Sequence, residues 1–387
     1  MKTRLFLLAA ALFLTSCVRP AQTPHETLSF TVSMGDPSNK SCHVELRCEG
    51  LTGVTHDFTM PAWTPGYYKI LHYARNVTNF NAVEDATGHA LSWKKGDENT
   101  WRVQADGASA VTVSYNVATG QAIFQSSLGE SNAYLAPPDT YMYLDGQIRH
   151  PVTVTFKPKA GWDKIATGLD PVPGQSNTFS AADFDILYDC PTMLGKLEVL
   201  PFEVGGVHHE FDGLNLGNFD RAKFVSELKR MVESATTLMG DIPYKHYTFI
   251  SAGRGGGIEH LDECTLPFNS ASISNAVGNK KWLSFVAHEY FHNFNVKRIR
   301  PLALGPFDYE HENRTYMLWV SEGFTVYYEW IVLRRAGLLD EEDVLNGSGG
   351  ERGFRGLSGS MAAYENFPGH LYQSAAESSW KEWDQPL

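Results

Sequence analysis

The pentapeptide His288-Glu289-Tyr290-Phe291-His292 sets two imidazoles and a carboxylate at the spacing of hydrolytic metal chemistry. On a helix, residues i and i+4 stack on one face a turn apart, so both imidazoles reach a single tetrahedral Zn²⁺. Glu289 lies about a quarter-turn round. That places its carboxylate beside the metal's water, where it takes a proton as the water attacks a carbonyl. Trp282, Leu283, Phe285, Val286, Ala287, Tyr290, Phe291 and Phe294 make the helix almost wholly apolar. Polar groups at its centre need partners, and a metal is one. Catalytic zinc takes three protein ligands and leaves one position open. Glu322 is the only carboxylate in the helical run Trp319–Phe324 and is the expected third ligand. With Trp319, Val320, Phe324 and Val326 around it, it is expected to be shielded from solvent. Glu329 falls seven residues on, on nearly the same face, as a fallback ligand or a partner of one.

Helices must carry these groups. Apolar residues recur at helical spacing from Phe224 to Met239, with Asp220 as N-cap and Gly240 at the stop. A second helix is expected from about Lys280 to Asn295, ended by Arg300-Pro301. A third is expected from about Tyr316 to Arg335, closed by Gly337. Between the first two lie a strand, Tyr247–Ile250, and the glycine-rich run Gly253–His260.

The first half reads differently. Short alternating runs, Leu28–Val32, Val111–Tyr115 and Val152–Phe156, are separated by turn clusters such as Gly35–Asn39, Asp85–Gly88 and Pro171–Gly174. A β-rich sandwich or saddle is expected. His208-His209 is not a metal pair, because adjacent residues of a strand face opposite ways. The fold class is α+β: a β-rich domain over 28–205, then a mainly helical domain over 206–387.

Residues 1–16 read as an export signal, with Lys2 and Arg4 before an apolar run from Leu5 to Leu14 that is too short to span a bilayer. Leu14-Thr15-Ser16-Cys17 resembles a bacterial lipobox. That resemblance implies a mature chain beginning at a lipid-bearing Cys17, a linker over 17–27, and a lipoprotein facing the periplasm or cell exterior. The net charge of −12 excludes a nucleic-acid or anionic-membrane surface. Cys42, Cys48, Cys190 and Cys264 show no zinc-ribbon spacing. In one strand Cys42 and Cys48 stand roughly 20 Å apart, so buried free thiols are expected rather than a bridge. Nothing in the sequence sets an oligomeric state.

Several stretches together resemble the glycyl aminopeptidase family of gluzincin metallopeptidases: His288–Pro301, Leu318–Glu329, Gly256–His260, Met60–Tyr68 and Tyr188–Pro191. The resemblance implies a thermolysin-like catalytic domain over 206–387, one zinc per chain, and cleavage of N-terminal Gly or Ala from peptides with a free amine. It also implies that Gly256 and Gly257 open an edge strand to substrate backbone and that Glu259 binds the α-amine. A carboxylate there would hold an ammonium and fix how many residues lie before the scissile bond. His260 is a candidate substrate contact or carboxylate orienter.

Members usually continue into a Tyr-x-Lys-Gly segment and a PDZ domain, which this sequence lacks, so the catalytic domain is expected to be incomplete at its C-terminal end. The tyrosine that would donate to the oxyanion has no firm counterpart among Tyr327, Tyr328, Tyr364 and Tyr372. Two other readings stay open: a zinc endopeptidase, and a catalytically impaired zinc-containing peptide-binding lipoprotein.

Overall fold

The structure, a computed structural model, describes residues 26–384 except 121, 123, 253–255 and 350–353. The export signal and Cys17 lie outside the described residues.

The first half is built as expected from period-2 strands. Thr27–Met34 buries Leu28, Phe30, Val32 and Met34 and turns the intervening residues outward. It pairs antiparallel with Ser41–Glu49 and parallel with Val152–Lys157. Ala110–Ala118 and Val77–Glu84 extend the sheet on one side, and Thr178–Ala181 and Asp170–Pro171 on the other, giving seven strands. Cys42 and Cys48 sit on its buried face as free thiols. Two four-stranded sheets complete this half. One contains Thr55–Thr59 and Thr100–Gln104, the other Asn132–Leu135, Lys164–Thr167 and Thr192–Gly195.

The fourth sheet belongs with the helices. Its order is Glu198–Val204, Val207–Gly213, His246–Ser251, Glu263–Leu266 and, at the edge, Ile258–Glu259. The expected boundary between 205 and 206 falls inside the hairpin of the first two strands. Its tip is Gly205-Gly206, both at positive φ (58° and 79°), as a tight right-twisted hairpin turn requires. Strand alternation does not show which strand a segment pairs with, which is why the sequence alone parted two strands that form one hairpin.

Two helices pack on this sheet, and a third packs on those two. Arg221–Met239 buries Phe224, Leu228, Met231, Val232 and Ala235; Asp220 accepts from the Lys223 amide, and Gly240 takes φ 75° at the end. The histidine helix runs Ala276–Phe291, a turn earlier at each end than expected. Its start is set by the Asn275 side chain, which accepts from the Gly278 amide at 2.7 Å. Its end is set by Asn295, whose side-chain amide bonds the carbonyls of Val320 and Ser321 and the hydroxyl of Thr325, pulling the chain out of register. The glutamate helix runs Leu318–Arg335. None of the described helices is long and apolar enough to cross a membrane.

His208 and His209 do face opposite ways. His208 is exposed, while His209 is fully buried, its Nδ1 donating to the Val207 carbonyl and its Nε2 accepting from Tyr244, whose hydroxyl also bonds Tyr290 on the histidine helix. Burial depresses the His209 pKa from 6.5 to about 4. Below pH 6.5 the unfolded chain takes up a proton that the folded chain refuses, so stability is full above 6.5 and declines as the pH falls toward 4. The loss should be on the order of 3 kcal/mol. Denaturant unfolding of His209→Gln should show a flatter acid limb than the parent across that window; parallel limbs would remove His209 from acid sensitivity.

Candidate active site

The histidine and glutamate helices bring His288, His292 and Glu322 together, and among the described residues this is the group with metal-ligating atoms gathered within 4.8 Å. His288 Nε2 and His292 Nε2 are 3.0 Å apart, and Glu322 Oε2 lies 3.3 Å and 3.6 Å from them. A tetrahedral ion with bonds of about 2.0–2.1 Å sets its donors about 3.3 Å apart. The opposite edge of each imidazole is engaged. His288 Nδ1 donates to Glu329 Oε2 at 3.0 Å, and Glu329 Oε1 accepts from Ser284 at 2.6 Å. His292 Nδ1 donates to the Asn295 carbonyl at 2.8 Å. With both Nδ1 atoms donating, neutral rings direct two Nε2 lone pairs and a carboxylate oxygen at one point. That arrangement repels itself unless a cation occupies its centre.

The electrostatics agree. Burial would lower the His288 pKa, but hydrogen bonds to Glu322 and Glu329 push it up to about 10. His292 is likewise raised by Glu322 against its burial. Burial would raise Glu322, but the two histidines hold it well below the usual carboxylate range. A proton satisfies one donor pair of this triad, whereas a divalent cation satisfies all three. The residues fit zinc.

Glu322 is not shielded as expected: its side chain is 55% exposed, with Trp319 and Phe324 exposed beside it. The apolar run Leu318–Phe324 is not a core stripe, and Glu322 reaches the histidines from a solvent-facing side. Glu329 is a partner of His288 rather than a ligand. Of the tyrosines considered, Tyr327, Tyr364 and Tyr372 are exposed and Tyr328 stacks on Phe291; none donates into the site.

Glu289 is buried beside the triad. Burial, then the charge of Glu259, pushes its carboxyl up to about 7. The backbone of Gly257 lies against it: a Cβ there would stand 2.4 Å from Glu289 Oε1 and 2.6 Å from Phe285 Cζ. Only glycine fits. Gly256, by contrast, has nothing within 4 Å of such a Cβ. Ile258–Glu259 is an edge strand, paired with Glu263–Leu266 on one side only.

Glu259 is buried where the two halves meet. Gly66, at φ 92°, packs on it so closely that a Cβ would meet Ile258 at 2.8 Å and the Glu259 carboxylate at 3.1–3.2 Å. Lys297 Nζ lies 4.0 Å from Glu259 but 2.8 Å from Asp189. Asp189 also accepts from His260 Nδ1 at 3.2 Å and the Leu261 amide at 2.7 Å. His260 is therefore engaged inside the protein as an orienter of Asp189, and burial depresses its pKa. Sequence reasoning missed the roles of Asp189, Lys297, Ser284 and Asn295. Asp189 and Lys297 stand 108 residues apart, and no local spacing links them.

The Peptidase M61 N-terminal domain matches residues 29–196, and the M61 glycyl aminopeptidase domain matches residues 281–386. A crystal structure of an aminopeptidase N family protein from Idiomarina loihiensis is 26% identical with TM-score 0.83, covering 92% of this chain and 61% of that one. The chain thus spans about three-fifths of that protein's length. An M1 zinc metallopeptidase from Deinococcus radiodurans is 14% identical with TM-score 0.44, over 81% of this chain and 70% of that one, too distant to carry an argument. No curated protein matches.

Glu329→Gln keeps an acceptor for His288 but removes its charge. Zinc affinity, read by competition with a chromophoric chelator, should fall about 10- to 100-fold with the fold intact. Parental affinity in the variant would leave Glu329 without this role.

Proposed function

Because the chain belongs to the M61 glycyl aminopeptidase family, we propose that it hydrolyses N-terminal Gly or Ala from peptides, with one zinc held by His288, His292 and Glu322. The observation that carries this reading is the placement of Glu259 on an edge strand beside Glu289 and the triad. Bound zinc supplies a Lewis acid that polarises a carbonyl and makes water more acidic.

The chain's own residues do the rest. Glu259 receives the substrate's α-ammonium, and the free edge of Ile258–Glu259 pairs with its backbone. Glu289, whose proton affinity burial raises, accepts a proton from the attacking water and returns it to the departing amine. Glu329 and the Asn295 carbonyl keep both Nε2 atoms aimed at the metal. Asp189 draws Lys297 away from Glu259, leaving that carboxylate for the substrate amine.

Gly66 favours an exopeptidase over an endopeptidase. Its backbone lies on the Glu259 carboxylate, so the turn of Thr64–Tyr68 takes up space beside the group proposed to bind the first residue's amine.

Glycyl and alanyl peptides should be cleaved, and N-terminally acetylated ones left intact. Glu289→Gln should lose about 10²- to 10⁴-fold in kcat while retaining zinc. Glu259→Gln should lose about 10- to 100-fold in kcat/KM on free peptides. Equal cleavage of blocked and free peptides would replace this reading with the endopeptidase one.

Export and lipid anchoring belong to the same proposal, resting on Lys2, Arg4, the Leu5–Leu14 run and Cys17. Expressed in a bacterium, the protein should fractionate with membranes and carry acyl mass on Cys17, and Cys17→Ser should release it. A parent found in the soluble fraction without acylation would remove the anchor.

A further inference from the structure

Beside the triad lies a cleft of about 940 Å³ that touches His288 and Glu289 but not Glu259. Its direction follows from three contacts. Running back from Glu259, the edge segment reaches Gly257, which abuts both Glu289 and Phe285. From Phe285 the cleft continues one turn along the histidine helix to Lys281, with Val326 and Trp330 of the glutamate helix also lining it. A chain anchored by its amine at Glu259 and antiparallel to the edge strand therefore passes Glu289 and proceeds toward Lys281.

Two cations stand in this cleft, Lys281 and Arg355. The neighbouring Lys280 is committed, its Nζ held by both oxygens of Asp343 at 2.6 and 2.7 Å. Among the described residues, Lys281 and Arg355 have no carboxylate partner. The Arg355 stem lies over Gly359, also in the cleft wall, where a Cβ would stand 2.7 Å from Arg355 Cγ. Of the acidic groups in the same wall, Glu329 is engaged by His288 and Ser284, and Glu289 lies at the triad end.

We propose that this cleft holds the part of the substrate beyond the scissile bond, and that Lys281 and Arg355 receive a carboxylate three or four residues past it. The inference rests on the aminopeptidase reading for its polarity. Eight helical residues from Glu289 to Lys281 span about 12 Å, which an extended peptide covers in three to four residues. The shared chemistry is a carboxylate, supplied either by the C-terminus of a tetra- or pentapeptide or by an acidic side chain of a longer one. Short peptides with free C-termini would then be held at both ends, by Glu259 and by the two cations.

Binding tests this independently of turnover. Zinc-loaded Glu289→Gln protein is titrated calorimetrically with Gly-Ala-Ala-Ala and Gly-Ala-Ala-Ala-Ala as free acids, as C-terminal amides, and as amides with Glu at the last position. The acids should bind about tenfold tighter than the plain amides, with the advantage shrinking as salt is raised. If the Glu-containing amides recover the advantage, an acidic side chain serves as well as the C-terminus; if only the acids show it, the C-terminus is the source. Adding Lys281→Gln and Arg355→Gln should abolish the difference while leaving zinc content and affinity for the plain amides unchanged. Equal binding of acids and amides, a difference that survives both substitutions, or no binding of any peptide overturns the proposal. Tight acid-selective binding by a protein whose wild type cleaves no glycyl peptide would sustain the carboxylate site at Lys281 and Arg355 and reject the aminopeptidase reading instead.

Discussion

Three electron-pair donors crowd one small volume: two imidazole nitrogens 3.0 Å apart and a carboxylate oxygen facing both. Without positive charge between them the arrangement is unfavourable, and most of the second half of the chain is organised to hold it in place. The buried face of the histidine helix fixes the pitch between the imidazoles. Ser284 and Glu329 lock one ring, and the Asn295 carbonyl locks the other. Asn295 has a second task, because its side-chain amide bonds the first turn of the glutamate helix and so sets the depth of Glu322.

The buried pair Asp189–Lys297 does a similar service at the other end of the site. A lysine beside Glu259 with no partner of its own would compete for that carboxylate. Asp189, from the first half of the chain, takes it at 2.8 Å, while burial and the lysine's charge oppose each other on the aspartate's own proton affinity. Buried pairs of this kind add little net stability. What they fix here is which carboxylate remains for a ligand.

Much of this was legible in the sequence because it is local. His288, Glu289 and His292 follow from helical pitch, and the strands around Phe30, Val44 and Tyr115 follow from alternation. The first helix was readable to both caps because Asp220 and Gly240 act through neighbours a few residues away. Glu322 was found for a partly mistaken reason: its carboxylate does join the two histidines, but its apolar surroundings face solvent. The edges of the histidine helix were missed because they depend on Asn275 and Asn295, and nothing in periodicity weighs a side-chain amide against one more turn. The strand Glu198–Val204 was placed with the first half because period-2 alternation does not say which sheet a strand joins. Asp189 with Lys297, and Gly66 with Glu259, were invisible for the same reason: each is a contact between distant segments.

The loop between the two ligand-bearing helices passes over the first half of the chain. There Tyr309 stacks on Trp63 with ring centroids 5.5 Å apart, its backbone carbonyl accepts from the Ala62 amide at 2.8 Å, and its hydroxyl donates to Asp185 at 2.7 Å. Glu322 therefore meets the two histidines along a path whose midpoint is clamped to the β-rich half. An ion held by those three groups would couple its own binding to closure of that junction, and its affinity would then report on aromatic rings that never touch it. During synthesis the β-rich half leaves the ribosome before His288, His292 and Glu322 do.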